Sequence, residues 1–328
     1  MIKIGIIGCG SLGLRHLQSI LNLNLSKFEI FVVEPFKKSQ VTANEFILDL
    51  YPGKAHCVQW LQEIEQLPNF MNLVIIATTS SSRFSVLSRM LNCVTIDCLI
   101  LEKILFNQLD QYKNASVLVH ELSKKSYVNC PLRLWPIFKS IKNTIDFNKI
   151  TSIEIISHGE DLGCNGIHFI DLMSFWTNSK SFSVYDFDIQ SAIPSKREGY
   201  LKINTKWRAC FQSDSGHYDL LLDFQLGDFN GAKFYFYSGK KKVLELDWSN
   251  GHVKSSGMLN ELLPSRLWNT PFQSELTSQY VLNFIDKKEI GLPNYDESAA
   301  MHVIFQNSII DALRKIKIDV KDGICPIT

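Results

Sequence analysis

The stretch CNGIHFIDLMSFW sets His168 and Asp171 three residues apart, which puts both on one face of an otherwise apolar helix. An imidazole titrates near neutrality and can take the proton that a secondary alcohol gives up as it loses hydride. A histidine packed into a core is the plainer reading of the same residue. No second His or Cys stands at metal-ligand spacing, so no metal is expected. In LILEKIL, Glu102 and Lys103 end an apolar run. A lysine there can polarise a carbonyl or hydroxyl through a charge-assisted hydrogen bond, or orient a substrate. A solvated charge pair at a strand end is the alternative.

The third candidate is GCGSLG, residues 8 to 13. A lone G-x-G-x-x-G means little, but this one follows the apolar run IKIGII and opens a helix with Leu14, Leu17, Ile20 and Leu21. Gly8 would allow the tight turn, Gly10 the approach of a pyrophosphate, and Gly13 close packing of helix on strand. Cys9, Ser11 and Leu12 complete the turn, and the helix N-terminus holds the phosphates. The next strand ends in Glu34, whose carboxylate can accept hydrogen bonds from an adenosine ribose and disfavours a 2′-phosphate. NAD is therefore expected over NADP, although Lys37 and Lys38 leave NADP open. Ala77, Thr78 and Thr79 follow the run NLVII, where backbone and hydroxyls would line the same crevice. Ser80 reads equally well as the cap of the helix that follows.

These residues require elements to hold them. Strand candidates are 2–8, 28–34, 72–78, 93–103 and 126–130, with helical patterns near 11–23, 38–50, 60–66, 81–92 and 108–124. The strands are apolar throughout, as in a parallel sheet covered on both faces, and the alternation with helices predicts a doubly wound α/β domain over 1–125. After Pro131 the strands alternate apolar and polar residues. Residues 126–328 are therefore expected to form an α+β domain with a largely antiparallel open sheet, interrupted by a helix at about 165–177 and followed by helices near 273–286 and 296–314.

Composition removes other classes. Lys plus Arg number 34 against 33 Asp plus Glu, so no basic footprint for nucleic acid exists. The longest cationic run, Lys240-Lys241-Lys242, reads as a hairpin turn. No run is long and apolar enough for a membrane span. Eight cysteines contain no C-x-x-C pair, which predicts free thiols and a cytoplasmic setting.

Together the motifs resemble the Gfo/Idh/MocA oxidoreductases, the family of glucose–fructose oxidoreductase and inositol dehydrogenase, over most of the chain. GCGSLGLRH resembles the family's opening turn with its Arg15-His16. ATTSSSR stands at its A-T-P/T segment, and Glu102-Lys103 matches the start of E-K-P. CPLRLWP, with Arg133 and Pro136, resembles N-x-R-x-x-P, and GIHFIDLMSFW the G-x-H-x-x-D helix. Two positions depart: Ile104 replaces the proline after Lys103, so the sequence does not by itself imply a cis or rigid bend there, and Cys164 replaces an aspartate four residues before the histidine.

The resemblance implies a Rossmann domain with NAD, or NADP, held by the glycine turn, Glu34, Ala77, Thr78, Thr79 and Glu102. It implies hydride exchange with a secondary alcohol or ketone of a sugar, amino sugar or cyclitol, in surface-glycan synthesis. Lys103 would polarise the oxygen and His168 carry the proton, while Arg133, Asn165 and Asp171 bind the substrate. A homodimer or homotetramer through the second domain's sheet is implied too, with the aromatic run Phe234 to Tyr237 as a candidate face. Two alternatives remain: a non-catalytic dinucleotide-binding regulator, and a redox-neutral epimerase or lyase with tightly held NAD.

Overall fold

A computed structural model of the chain describes residues 1–24, 28–225, 227, 231–255, 268–321 and 323–327. The chain forms two compact units, Met1–Pro131 with Pro271–Asp296, and Leu132–Thr270 with Glu297–Thr328.

The first unit is a doubly wound parallel sheet. Its strands are β1 (Ile2–Ile7), β2 (Phe28–Val33), β3 (Val58–Leu61), β4 (Phe70–Ile76), β5 (Thr95–Leu101) and β6 (Ser123–Val128), in the order β3-β2-β1-β4-β5-β6. Helices α1 (Ser11–Leu21), α2 (Lys37–Leu50), α3 (Ser80–Met90) and α4 (Gln111–Leu122) connect them. The central strands are buried on both faces, from Ile4, Ile6 and Ile7 to Leu73–Ile76 and Cys98–Leu101, which is why they carry no polar alternation. Strand order reverses between β1 and β4, and ligands of such sheets bind at the carboxyl ends of the strands beside that reversal.

Residues 60–66, expected as a helix, are instead the end of β3 and a single turn at Ile64–Gln66. So short a run carries no period that separates strand from helix, and pairing with β2, from Ile30 opposite Val58 to Val33 opposite Leu61, decides it. The cut expected after residue 125 falls inside β6. A helix from far along the chain, α7 (Gln273–Ile285), belongs to this first unit and packs on α1, where the Ser278 amide donates to Ser19 Oγ at 2.8 Å. The Val128 amide likewise donates to the Pro293 carbonyl at 3.0 Å. Burial of apolar surface does not respect chain order, and the outer side of α1 is covered by residues that come late.

The second unit is a mixed sheet in the order β13-β12-β11-β7-β10-β9-β8. Its strands are β7 (Ser152–His158), β8 (Ser181–Pro194), β9 (Leu201–Ser213), β10 (Gly216–Gln225), β11 (Gly231–Ser238), β12 (Lys241–Asp247) and β13 (His252–Ser255). Only β7 and β10 run parallel; the other neighbours are antiparallel. Helices α5 (Pro136–Thr144), α6 (Leu162–Thr177) and α8 (Tyr295–Lys315) accompany it. Along β7 every second residue is buried, so one sheet face forms the core. That alternation splits the aromatic run. Phe234 and Phe236 are buried, with rings 6.4 and 5.1 Å from that of Trp176, whereas Tyr235 and Tyr237 lie half-buried on the other face.

Among the described residues no helix is long and apolar enough to cross a membrane. All eight cysteines are free thiols.

Candidate functional site

The glycine turn joins β1 to α1. Gly8 sits at φ +87°, a backbone conformation that side chains disfavour, and its amide donates to the Val33 carbonyl at 2.9 Å. A Cβ on Gly13 would stand 2.0 Å from the Gly8 carbonyl oxygen, so the helix approaches the turn at a distance only glycine permits. Gly10 differs: a Cβ there would meet nothing within 4 Å. Gly10 is the N-cap of α1 and has no side chain to cap the first turn, whose amides favour an anion. Ser11 and Leu12 are exposed at this helix start, while Cys9 is buried beneath it.

Gly8, Gly10, Glu34, Ala77, Thr78 and Thr79 line one cavity of about 470 Å³. Six of the eleven residues expected to bind the dinucleotide thus meet at one cavity, from three separate strand ends. Glu34 is fixed by two amides: Cys9 N–H donates to Oε2 at 2.7 Å and Phe36 N–H to Oε1 at 3.0 Å. Each oxygen keeps capacity to accept once more. Burial, and then the Glu34 charge, push the Cys9 thiol up to about 12, so it stays protonated and inert. Exposed Phe36 and the side chains of Glu63 and Arg89 add to the cavity wall; Arg89 is held by Glu63 and Glu65 at 2.7 Å each.

A dinucleotide fits this donor set on an observation independent of motif. Thr78 Oγ1 is buried and has no hydrogen-bond partner among the described residues, which is costly unless a ligand or water supplies one. Thr79, not Ser80, occupies the N-cap position of α3, and the buried Ser80 begins the helix.

At the end of β5, Glu102 is buried among polar partners. His16 Nε2 donates to its Oε1 at 2.8 Å, and Asn129 Nδ2 donates to the same oxygen. On its other side the His16 ring meets Thr277 Oγ1 at 2.8 Å and the Tyr280 hydroxyl at 3.1 Å, both from α7. Lys103 follows, half-buried, and the Lys103–Ile104 peptide is cis although no proline is present. The two residues after Lys103 are held by Arg83 of α3, which donates to the carbonyls of Ile104, Leu105 and Thr78.

In the second unit, Asp161 caps α6 by accepting from the amides of Gly163 (2.8 Å) and Cys164 (3.2 Å). Asn165 and His168 are half-buried and Cys164 is exposed, all within two turns of that cap. Asp171, one turn on, has no exposed surface. Both its oxygens are taken by Arg133, at 2.8 Å from Nε and 2.7 Å from Nη2. Arg133 Nη2 also donates to Glu297 at 2.6 Å. Burial pushes the Asp171 carboxyl up to about 6 against the pull of Arg133. Burial works to lower Arg133 as well, but the carboxylates of Asp171 and Glu297 prevail and hold its guanidinium above the usual value. Two of the three residues expected to bind substrate, Arg133 and Asp171, are therefore bound to each other.

Sequence reasoning assigned no role to Arg83, Asn129, Thr277 or Tyr280. The first closes the quoted ATTSSSR segment, and that adjacency was the one available signal; the others are brought in by the fold.

No family model and no curated relative matches the sequence. Solved structures match over nearly the whole chain. A super-repressor mutant of Gal80p from Saccharomyces cerevisiae is 16% identical, with TM-score 0.74 over 98% of this chain and 99% of that one. A myo-inositol dehydrogenase from Lactobacillus casei, in complex with NAD(H) and myo-inositol, is 15% identical, with TM-score 0.64 over 98% and 97%. The chain has the Gfo/Idh/MocA fold. A UDP-N-acetylglucosamine 3-dehydrogenase from Acidithiobacillus ferrooxidans is 12% identical, with TM-score 0.62 over 95% and 96%. At such identities the Gfo/Idh/MocA likeness is one of architecture.

Proposed function

We propose that this chain is an oxidoreductase that exchanges hydride between a nicotinamide dinucleotide, NAD in preference to NADP, and a secondary alcohol or ketone of a sugar, amino sugar or cyclitol. The observation that carries the reading is the cavity at the β1/β4 reversal, with its glycine turn, uncapped helix start, pinned Glu34 and unsatisfied Thr78 Oγ1. Structural likeness to dehydrogenases of myo-inositol and of UDP-N-acetylglucosamine supports the substrate class.

When bound, the nicotinamide supplies or accepts the hydride. In this reading the first turn of α1 holds the pyrophosphate and Glu34 accepts from the adenosine ribose. Lys103 donates from its ammonium to the substrate oxygen, and the His168 imidazole takes or returns its proton. Arg133 and Asp171 act as a mutually fixed pair that sets α6, while Asn165 is available to a substrate hydroxyl. Association of copies through the half-buried sheet face of Tyr235 and Tyr237 accompanies this reading.

The test is NAD reduction or NADH oxidation across a panel of sugars, amino sugars and cyclitols, with Lys103→Ala and His168→Ala as controls. Each control should lower the rate by roughly a hundredfold or more. Activity that survives both substitutions would sink the mechanism. A second reading, a dinucleotide-binding regulator without turnover, is favoured by Cys164 in place of the family's acid and by the Gal80p likeness. Binding of NADH with no turnover anywhere in the panel selects it.

A further inference from the structure

Lys103 lies on a segment gripped from both sides. Before it, Glu102 is fixed by His16 and Asn129. After it, the Arg83 guanidinium takes two successive carbonyls, with Nη1 donating to Ile104 O and, at 2.7 Å, to Leu105 O. The same guanidinium reaches the other way, through Nη2, to the carbonyl of Thr78. Arg83 is 1% exposed, so water does not compete for these donors. Thr78 belongs to the cavity wall and carries the buried hydroxyl that lacks a partner among the described residues.

We propose that Arg83 is a positioning residue that couples occupancy of the dinucleotide cavity to the placement of the Lys103 amine. The inference rests on the dinucleotide reading above. A ligand group that satisfies Thr78 Oγ1 draws on Thr78, and its carbonyl shares one rigid planar donor with Ile104 and Leu105. A guanidinium serves three acceptors in fixed relative directions, so a shift at one is felt at the others. A lysine ammonium in its place keeps the charge but has neither the reach nor the fixed fork.

The experiment uses the full chain, NADH as probe and two readouts: binding by NADH fluorescence, and acetylation of Lys103 by N-hydroxysuccinimide acetate, followed on its peptide by mass spectrometry. Exposed Lys287 serves as internal standard. In the wild type, saturating NADH is expected to slow Lys103 acetylation at least roughly fivefold. Arg83→Lys should still bind NADH, yet NADH should change its Lys103 rate by less than about twofold. Full protection in Arg83→Lys overturns the proposal, as does wild-type binding of NADH without protection of Lys103. If Arg83→Lys does not fold by circular dichroism, Thr78→Val decides, because it removes the ligand's grip and leaves the guanidinium intact. The same loss of protection supports the coupling, and full protection overturns it. Absence of NADH binding by the wild type is a different result: it removes the dinucleotide reading itself.

Discussion

His16 and Glu102, 86 residues apart in the chain, share a hydrogen bond of 2.8 Å in the interior of the first unit. The imidazole continues to Thr277 and Tyr280, so one ring links the helix of the glycine turn, the strand end before Lys103 and a helix supplied from beyond residue 270. His16→Leu would leave a buried carboxylate with Asn129 alone and two hydroxyls short of a partner. Stability measured by urea unfolding is expected to fall by roughly 3 kcal/mol, with His16→Gln recovering part of it. Equal stability of His16→Leu and wild type would show that the network contributes nothing.

Gly10 and Gly13 separate a ligand role from a folding role. Gly10→Ala meets no neighbour, so its unfolding free energy should stay within ~0.5 kcal/mol of wild type while NADH affinity drops roughly tenfold or more. Gly13→Ala forces a carbon against the Gly8 carbonyl and should cost more than ~2 kcal/mol. Unchanged NADH affinity in Gly10→Ala would remove the turn from the binding site.

Glu34→Gln keeps the size of the side chain and removes its charge. The ratio of NAD to NADP affinity, measured by titration of both reduced forms, should shift toward NADP by roughly tenfold, a fraction of the repulsion that two close charges exert near a protein surface. A ratio that does not move would assign the preference elsewhere.

Arg133→Met leaves Asp171 fully buried without the guanidinium that draws its pKa down. The carboxyl, already at about 6 with Arg133 present, then rises further above its unfolded value. A group whose folded pKa is raised contributes stability that is fully present below its unfolded pKa and lost as pH rises through the folded one. The deficit of Arg133→Met against wild type should therefore deepen between pH 5 and pH 8, reaching roughly 3 kcal/mol at the upper end. A deficit independent of pH in thermal unfolding would contradict this.

Local features were legible and distant ones were not. The turn from Gly8 to Gly13, Glu34 and the Thr78 segment could be read because each lies at the end of its own apolar run, where chain direction alone determines what faces the crevice. His16 gave no such signal, since Thr277 lies 261 residues away. Asp171 was misleading in an instructive way: helical spacing beside His168 is equally consistent with a substrate group and a buried ion pair, and only the position of Arg133 distinguishes them. The cis peptide after Lys103 had no proline to announce it. Val58–Leu61 is a strand because β2 offers an open edge, a fact absent from the four residues themselves.

The return of residues 271–296 to the first unit sets the timing of its assembly. All six strands of its sheet leave the ribosome early, yet His16 and Ser19 receive Thr277, Ser278 and Tyr280 only after the whole strand-rich stretch of the second unit has been made. At synthesis rates of about 5–20 residues per second that delay is on the order of ten seconds. The half-finished sheet must persist through it with one flank of α1 bare, and a fragment ending at Pro131 would keep that flank bare permanently.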